Sequence, residues 1–365
     1  MKIINHSSFN FRNLERAEIA PHGEMNIIYG ENAQGKTNLI ESIWMMTGFY
    51  SFRARKNIQL IRSGADEAKI VSQFYSHGRE QTAEMLINQK KELTLNGVKE
   101  DSPRAMMGSF YAVVFSPSTL GIVKEGPSER RKLLDIALSL MKPNYALIMS
   151  KYIRALNQRN NLFKKLGEKS RNSRFYFEPW EEELIRLGTK IVKYRLDYID
   201  ELEAAASEIY RDMSSGREDF TFRYDFQPEN ADPDAISEKL RQNMDRSWES
   251  DLKKLYTTCG PHADDLIMTL NGNEAKIYGS QGQQRSCALA IKLAEASMIE
   301  KTAGEAPVVL LDDVMSELDE KRQSFILNYL DNRQVFITCC EPSTLLRKER
   351  GKIFEVTAGE VKEMV

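Results

Sequence analysis

Cysteine, histidine and tryptophan are scarce here, with four, four and three residues among 365. Cys259, Cys287, Cys339 and Cys340 have neither paired CxxC spacing nor the density of a disulfide scaffold, so reduced thiols are expected and no metal site is read from them. His6, His22, His77 and His262 are scattered, which predicts structural histidines, and no Ser-His-Asp order or nucleophilic cysteine context supports a hydrolase. The opening segment MKIINHSSFNFRNLERAEIA lacks the apolar core of a signal peptide, and no later stretch approaches the roughly 20 apolar residues of a membrane span. A cytoplasmic protein with no membrane partner is therefore expected. Charge of one sign is missing as well: 51 Lys and Arg face 53 Asp and Glu, so nucleic-acid binding has to come from local patches.

What is present changes character along the chain. From Lys2 to about Phe115, short strands, one strong helix and turn signals alternate; NIIYG reads as a buried strand, TNLIESIWMM as a helix, and ELTLNGVK as a strand entering an Asn96-Gly97 hairpin turn. From Ser128 to about Ser214 the pattern is helical. Tyr145, Met149, Tyr152, Ile153 and Leu156 recur at helical spacing, and Trp180, Leu184, Leu187, Ile191, Tyr194 and Tyr198 form a heptad-like seam. The break LGEKSRNSRF between them reads as the tip of a helical hairpin, a short antiparallel arm of roughly 50 Å at about 1.5 Å per residue. DFTFRYDF alternates as a strand and a polar helix runs to about Tyr256. After Gly260 strands return in DDLIMTLNGN, PVVLLDDV and QVFITCC. The expected fold is α/β, one discontinuous ATPase-like domain made of residues 1–120 and 259–365, with a helical insertion over 121–258.

GENAQGKT, Gly30 to Thr37, fits the phosphate-binding pattern G-x-x-x-x-G-K-[ST] and sits between a predicted strand and a predicted helix, as that motif requires. Gly30 and Gly35 permit the tight loop, and Glu31, Asn32, Ala33 and Gln34 supply its amides. Lys36 brings charge to the β and γ phosphates of ATP, and Thr37 offers a hydroxyl to Mg²⁺. VVLLDDV is an apolar strand ending in two carboxylates: Asp312 is placed to hold magnesium and Asp313 to polarise a water. Capping of the next helix by an aspartate is the simpler alternative.

Far downstream, GSQGQQRS precedes a helix with apolar residues at Leu289, Leu293, Ala296 and Ile299, the period of an amphipathic helix. Ser280 and Gln283 have capping-box spacing, which suffices for a helix start; amides and carboxamides at a positive helix end also make a phosphate site. Both readings stay open on these residues alone.

A phosphate loop, a helical insertion, a Ser-x-Gly-Gln segment, then Asp-Asp and SELD make the chain resemble the ABC-type ATPases of chromosome maintenance. Within that group it is similar to the RecF recombination-repair family through FRNL, GENAQGKTNLIE, VVFSPSTLGIVKEGPSERRKLLD, CGPHADDL, GSQGQQR and LLDDVMSELD, in that order. The resemblance implies an ABC-type head that binds ATP and Mg²⁺ and dimerises head to tail. Ser280, Gly282 and Gln283 of one subunit would then approach the γ-phosphate held by Lys36 and Thr37 of the other, with a D-loop at Ser316 to Asp319. It further implies sequence-independent DNA binding at single-strand gaps and RecR-like and RecO-like partners that help RecA load. Five departures predict slow hydrolysis: Gln281 where many ABC proteins have glycine, no glutamine near Ser116-Pro117, Cys339 and Cys340 where a histidine switch is expected, Ala263 in place of arginine, and Asp313 in place of a glutamate. The expected enzyme is a weak ATPase with Lys36, Asp312 and Asp313 as its catalytic residues. An organiser like the SMC and Rad50 proteins is the alternative, although their long heptad arms are absent; a small-molecule phosphotransferase leaves the Ser280 segment unexplained.

Three basic clusters are candidates for DNA. Lys151, Arg154, Arg159, Lys164, Lys165, Lys169, Arg171 and Arg174 face only Glu168; Arg53, Arg55 and Lys56, and Arg130, Arg131 and Lys132, are the others. A solvated helix face paired with Glu181 to Glu183 explains the first equally well.

Overall fold

The computed structural model describes residues 1–167, 173–341 and 351–364. Two compact units divide it, one made of Met1–Gly121 and Ala288–Val365, the other of Ile122–Cys287.

The first unit starts with antiparallel β1 (Lys2–Phe11) and β2 (Leu14–Ile19), then β3 (Met25–Tyr29) and the helix α1 (Lys36–Met45). A meander follows: β4 (Ala68–Ser76), β5 (Arg79–Ile87), β6 (Lys91–Leu95) and β7 (Val98–Glu100), closed by the predicted Asn96-Gly97 turn with both φ angles positive, at 51° and 81°. These strands form a six-stranded sheet in the order β2-β1-β4-β5-β6-β7. Next come β8 (Ala112–Phe115) and the one-turn helix α2 (Pro117–Leu120).

The second unit holds α3 (Pro127–Met141), α4 (Pro143–Leu166), α5 (Glu178–Ser214), β9 (Phe220–Tyr224), α6 (Pro233–Lys254), β10 (Leu266–Leu270), β11 (Asn273–Glu274) and the one-turn helix α7 (Ala275–Tyr278). Helices α4 and α5 pack together, and the seam residues Leu184, Leu187, Ile191 and Tyr198 are buried as their spacing requires. On α4 the fit is poorer: Ile148 is buried and Ile153 exposed. The expected tip falls largely on residues 168–172, outside the described residues. β10 pairs with β9, Leu266 facing Tyr224 through Leu270 facing Phe220, so the middle unit runs to Cys287 and not to residue 258 as the sequence suggested. A strand shows its own period but not its partner, which is why the boundary was misplaced.

The chain continues through α8 (Gln281–Ala303), β12 (Val308–Leu311), α9 (Glu320–Tyr329), β13 (Val335–Cys339), β14 (Gly351–Thr357) and β15 (Glu360–Met364). The second sheet has the order β15-β14-β3-β13-β12-β8; β14, β3, β13, β12 and β8 run parallel and β15 is antiparallel. Its interior strands VFITC and VVLL and its edge strand AVVF are buried at every residue, the near-continuous apolar runs of a sheet covered on both faces. Helix α8 departs from the expected amphipathic pattern: Ala288, Leu289, Ala290, Ile291, Leu293 and Ala294 are all fully buried. Lys292 and Glu295, buried too, neutralise each other at 2.5 Å.

All four histidines are hydrogen-bonded. His6 sits in the core between Ser72 Oγ and Ser42 Oγ, each 2.7 Å from a ring nitrogen, and burial pushes it from 6.5 down to about 3. Below pH 6.5 the unfolded chain accepts a proton that the folded one refuses. Stability should therefore be complete above 6.5 and fall as the pH drops towards about 3, by up to ~1.4 kcal/mol per pH unit. Thermal melts of His6→Gln between pH 7 and 4 should lose that part of the slope; an unchanged slope would contradict it.

Candidate functional site

In parallel sheets ligands gather beyond the carboxyl ends of the strands, where loops and helix starts converge. β3, β12 and β13 of the first unit deliver the P-loop, Asp312-Asp313 and Cys339-Cys340 to that end.

Buried β3 must turn at once into α1, and three left-handed residues make the turn: Gly30 (φ 149°), Ala33 (65°) and Gly35 (125°). A Cβ on Gly30 would lie 2.3 Å from the Val356 carbonyl oxygen, so only glycine fits there. Glu31, Asn32 and Ala33 are exposed at the tip. The Lys36 ammonium, almost fully buried, folds back to donate to the carbonyls of Gly30 (2.6 Å) and Glu31 (2.9 Å).

Thr37 Oγ1 donates to Asp312 Oδ1 at 2.8 Å, and Thr338 Oγ1 donates to the same oxygen at 3.0 Å. Burial raises the Asp312 pKa, opposed by those two hydrogen bonds and by the charge of Arg53. A carboxylate desolvated in this way favours a cation beside it. A hydroxyl and a carboxylate oxygen match the hard-oxygen preference of Mg²⁺, which takes few protein ligands and completes its shell with phosphate and water. Among the described residues no group of three or more His, Cys, Asp or Glu is placed to hold a metal. Asp313 adopts a positive φ of 54°, and its N–H donates to Thr338 Oγ1 at 2.8 Å. Thr338, which the sequence reading passed over, thus touches both aspartates.

Other supports were also missed. The β1–β2 turn places Arg12 in the left-handed region, where its guanidinium grips buried Glu41 of α1 with two bonds of 2.9 Å. Asn13 Nδ2 donates to the carbonyls of Ala33 (3.2 Å) and Gln34 (3.1 Å), and Asn13 Oδ1 accepts from Asn38 (2.7 Å). From the β14–β15 turn, Ala358 N–H donates to Gln34 Oε1 (2.5 Å) and Gly359 N–H to Gln34 O (3.0 Å). The phosphate loop is therefore held from both ends of the chain. FRNL was visible as a motif; only the fold gives Arg12 and Asn13 a task.

Where the resemblance anticipates a glutamine loop, Ser116 makes a reciprocal capping box with Thr119 at the start of α2. In place of the histidine, Cys339 is buried, which pushes its thiol up to about 11, and Cys340 Sγ lies 3.3 Å from Asn32 Oδ1. Asp319 caps α9 by accepting from Arg322 N–H (2.9 Å), and Gln323 ties down the preceding turn through Met315 O (2.7 Å) and Leu318 O (3.0 Å).

In the second unit the predicted capping box exists. Ser280 N–H donates to Gln283 Oε1 at 2.7 Å, and Gln283 N–H to Ser280 Oγ at 3.3 Å. Gln283 Nε2 also reaches Glu218 (2.5 Å), while Ser280 and Gln281 remain exposed and Gly282 is half-buried. His262 of CGPHADDL bonds Tyr152 OH (2.7 Å) and Thr257 O (3.1 Å), a structural role.

The basic clusters divide sharply. Arg130 is buried and bidentate to Asp265 at 2.7 Å, and Arg131 donates to Ala263 O and Asp264 O, so both hold the chain together. Arg159 is wholly buried, 2.8 Å from both Glu181 and Asp251. Arg174 pairs with Asp245, Arg186 with Glu183 and Arg241 with Glu182. Arg53, Arg55, Lys56, Lys151, Arg154, Lys164 and Lys165 stay exposed; Lys169 and Arg171, with Glu168, lie outside the described residues.

A parallel sheet whose strands end in a phosphate loop and a carboxylate pair, with an antiparallel meander beside it in the same unit, defines an ABC-type ATPase head. The family model described as RecF/RecN/SMC N terminal domain matches residues 3–362. The chain is 36% identical over 359 residues to the DNA replication and repair protein RecF of Alkaliphilus oremlandii, covering 96% of this chain and 97% of that one. It is 38% identical over 365 residues to the RecF of Syntrophotalea carbinolica, covering 99% and 98%. The chain belongs to the RecF family of DNA replication and repair proteins. Among solved structures it resembles the recombination mediator protein RecF with ATP, of the RecFOR pathway, at a TM-score of 0.90 and 34% identity, over 100% of this chain and 98% of that one. The Smc head domain of Pyrococcus furiosus, at 0.57 and 18% over 100% and 96%, shares the fold. No helix among the described residues is long and apolar enough to cross a membrane.

Proposed function

We propose that this chain is an ATP-dependent DNA-binding protein that dimerises on ATP and acts at single-strand gaps in recombinational repair, working with RecO-like and RecR-like partners to help a RecA recombinase load. The observation that carries the reading lies beyond the parallel sheet, where the Lys36 ammonium is buried against the loop carbonyls and the Thr37 hydroxyl donates to the desolvated Asp312 carboxylate. Supporting it, the similar solved RecF was captured with ATP and is described as a recombination mediator of the RecFOR pathway. In the proposal Gly30 to Thr37 cradle the phosphates, and Thr37 and Asp312 hold Mg²⁺. Ser280, Gly282 and Gln283 meet the γ-phosphate of a second copy. Asp313, held through its N–H by Thr338, orients water, and its short side chain with no histidine on β13 makes hydrolysis slow. The exposed cations bind phosphate without reading sequence, so affinity should fall steeply with salt.

Titration of ATP with and without magnesium into wild type and Asp312→Asn tests the site. The variant should lose the gain that magnesium confers by roughly 10- to 100-fold, the scale of losing a partner around a metal, and should bind metal-free ATP as the wild type does. An equal magnesium dependence in both would remove Asp312 from the site.

A further inference from the structure

Beside the break between α4 and α5, Phe175 and Tyr176 are 58% and 54% exposed, although large aromatic side chains are usually covered. Their rings lie 3.9 Å apart, centroid to centroid. They stand on a rigid base. Phe177, next in sequence, is fully buried against Phe163 (4.5 Å) and Trp248 (5.3 Å), and Arg174 lies over the Trp248 ring at 5.0 Å while paired with Asp245. Beside this base α4 ends in exposed Lys164 and Lys165, which make no ion pair among the described residues. Of the acids near this base, Asp245 and Glu181 are engaged by Arg174, Glu181 again by Arg159, and Glu182 by Arg241, while Glu178 stays exposed. Two uncovered rings beside two exposed lysines match a strand that offers both free base faces and phosphates. A duplex keeps its base faces stacked inside and presents only phosphates and base edges, whereas unpaired bases stack on aromatic side chains without regard to sequence.

We infer that Phe175 and Tyr176 form a stacking platform for unpaired bases of single-stranded DNA, with Lys164 and Lys165 as its phosphate contacts. The inference rests on the DNA-binding reading above and adds to it a means of telling a gap from plain duplex.

Fluorescence anisotropy with the full-length protein, ATP and magnesium tests it, using a thymidine oligonucleotide, a gapped duplex and a continuous duplex. The double variant Phe175→Ala, Tyr176→Ala should weaken binding to the oligonucleotide and the gap by roughly tenfold or more, the scale of one lost base stack. Continuous duplex should be held within about twofold, and Phe175→Tyr, Tyr176→Phe should restore the loss. Lys164→Ala, Lys165→Ala should weaken all three DNAs and lower the salt slope. Unchanged melting and ATP binding of the variants show that the fold is intact. Equal loss on all three DNAs in the aromatic variant, or no loss on any, overturns the platform. Retained DNA binding with lost binding to a RecR-like or RecO-like protein would make this a protein-docking surface and overturn it too. Failure of the wild type to bind any DNA would instead defeat the underlying reading, and the platform with it.

Discussion

Ser280→Arg should leave ATP binding unchanged and abolish ATP-driven dimerisation. Ser280 is exposed, and its hydroxyl contributes one cap bond at 3.3 Å to a helix that is then buried at nearly every position from Ser286 to Ala296. Losing the cap costs ~0.5–2 kcal/mol and placing a cation at a helix start another ~0.3–1 kcal/mol, too little to unfold this unit. The bond from Ser280 N–H to Gln283, at 2.7 Å, needs no side chain at residue 280 and persists. At the seam of a nucleotide sandwich, by contrast, a long side chain takes the space of the phosphate. Dimer affinity should fall by at least ~30-fold, the scale of a central interface residue worth ~2 kcal/mol or more. Calorimetry reads the first effect and sedimentation the second. Ser280→Ala separates them, since it removes the cap and adds no bulk; if it abolished dimerisation as fully as arginine does, capping would be the whole role of this serine.

Arg159→Ala should destabilise the helical unit by ~3–5 kcal/mol, because Glu181 and Asp251 would stay buried with their common partner gone. Arg159 also donates to Thr257 at 2.7 Å and lies over Phe163 at 4.9 Å, so packing is lost along with charge. Arg154, exposed on the same helix, provides the control: its alanine variant should melt within ~0.5 kcal/mol of wild type. An Arg159→Ala protein that melts normally but binds DNA weakly would return this arginine to the DNA-contact group.

That arginine marks the limit of reading charge from sequence. In the basic run from Lys151 to Arg174 every cation looks alike, yet Arg159 is core, Arg174 is paired and Lys164 is exposed, according to which face of α4 or which acid on α6 each meets. The phosphate loop was legible because its chemistry is contiguous: Gly30, Gly35, Lys36 and Thr37 lie within one turn. Asp312 was legible because an apolar strand points at it. The tasks of Thr338, Arg12, Asn13 and the Ala358-Gly359 turn were not, since each reaches the site from a distant strand; the motif that holds Arg12 and Asn13 does not say what they grip. Helix α8 shows the same limit: its leucines advertise one face, while small Ala288, Ala290 and Ala294 let the other faces pack as well.

ATP as the glue between two copies is the claim on which the rest depends, and the mass of the protein in solution reports it. Light scattering of wild type and Lys36→Ala, each with ATP and magnesium and with or without DNA, should give a doubled mass for the wild type alone. A wild type that remains monomeric under every one of these conditions, or a Lys36→Ala protein that doubles as readily, would contradict the account.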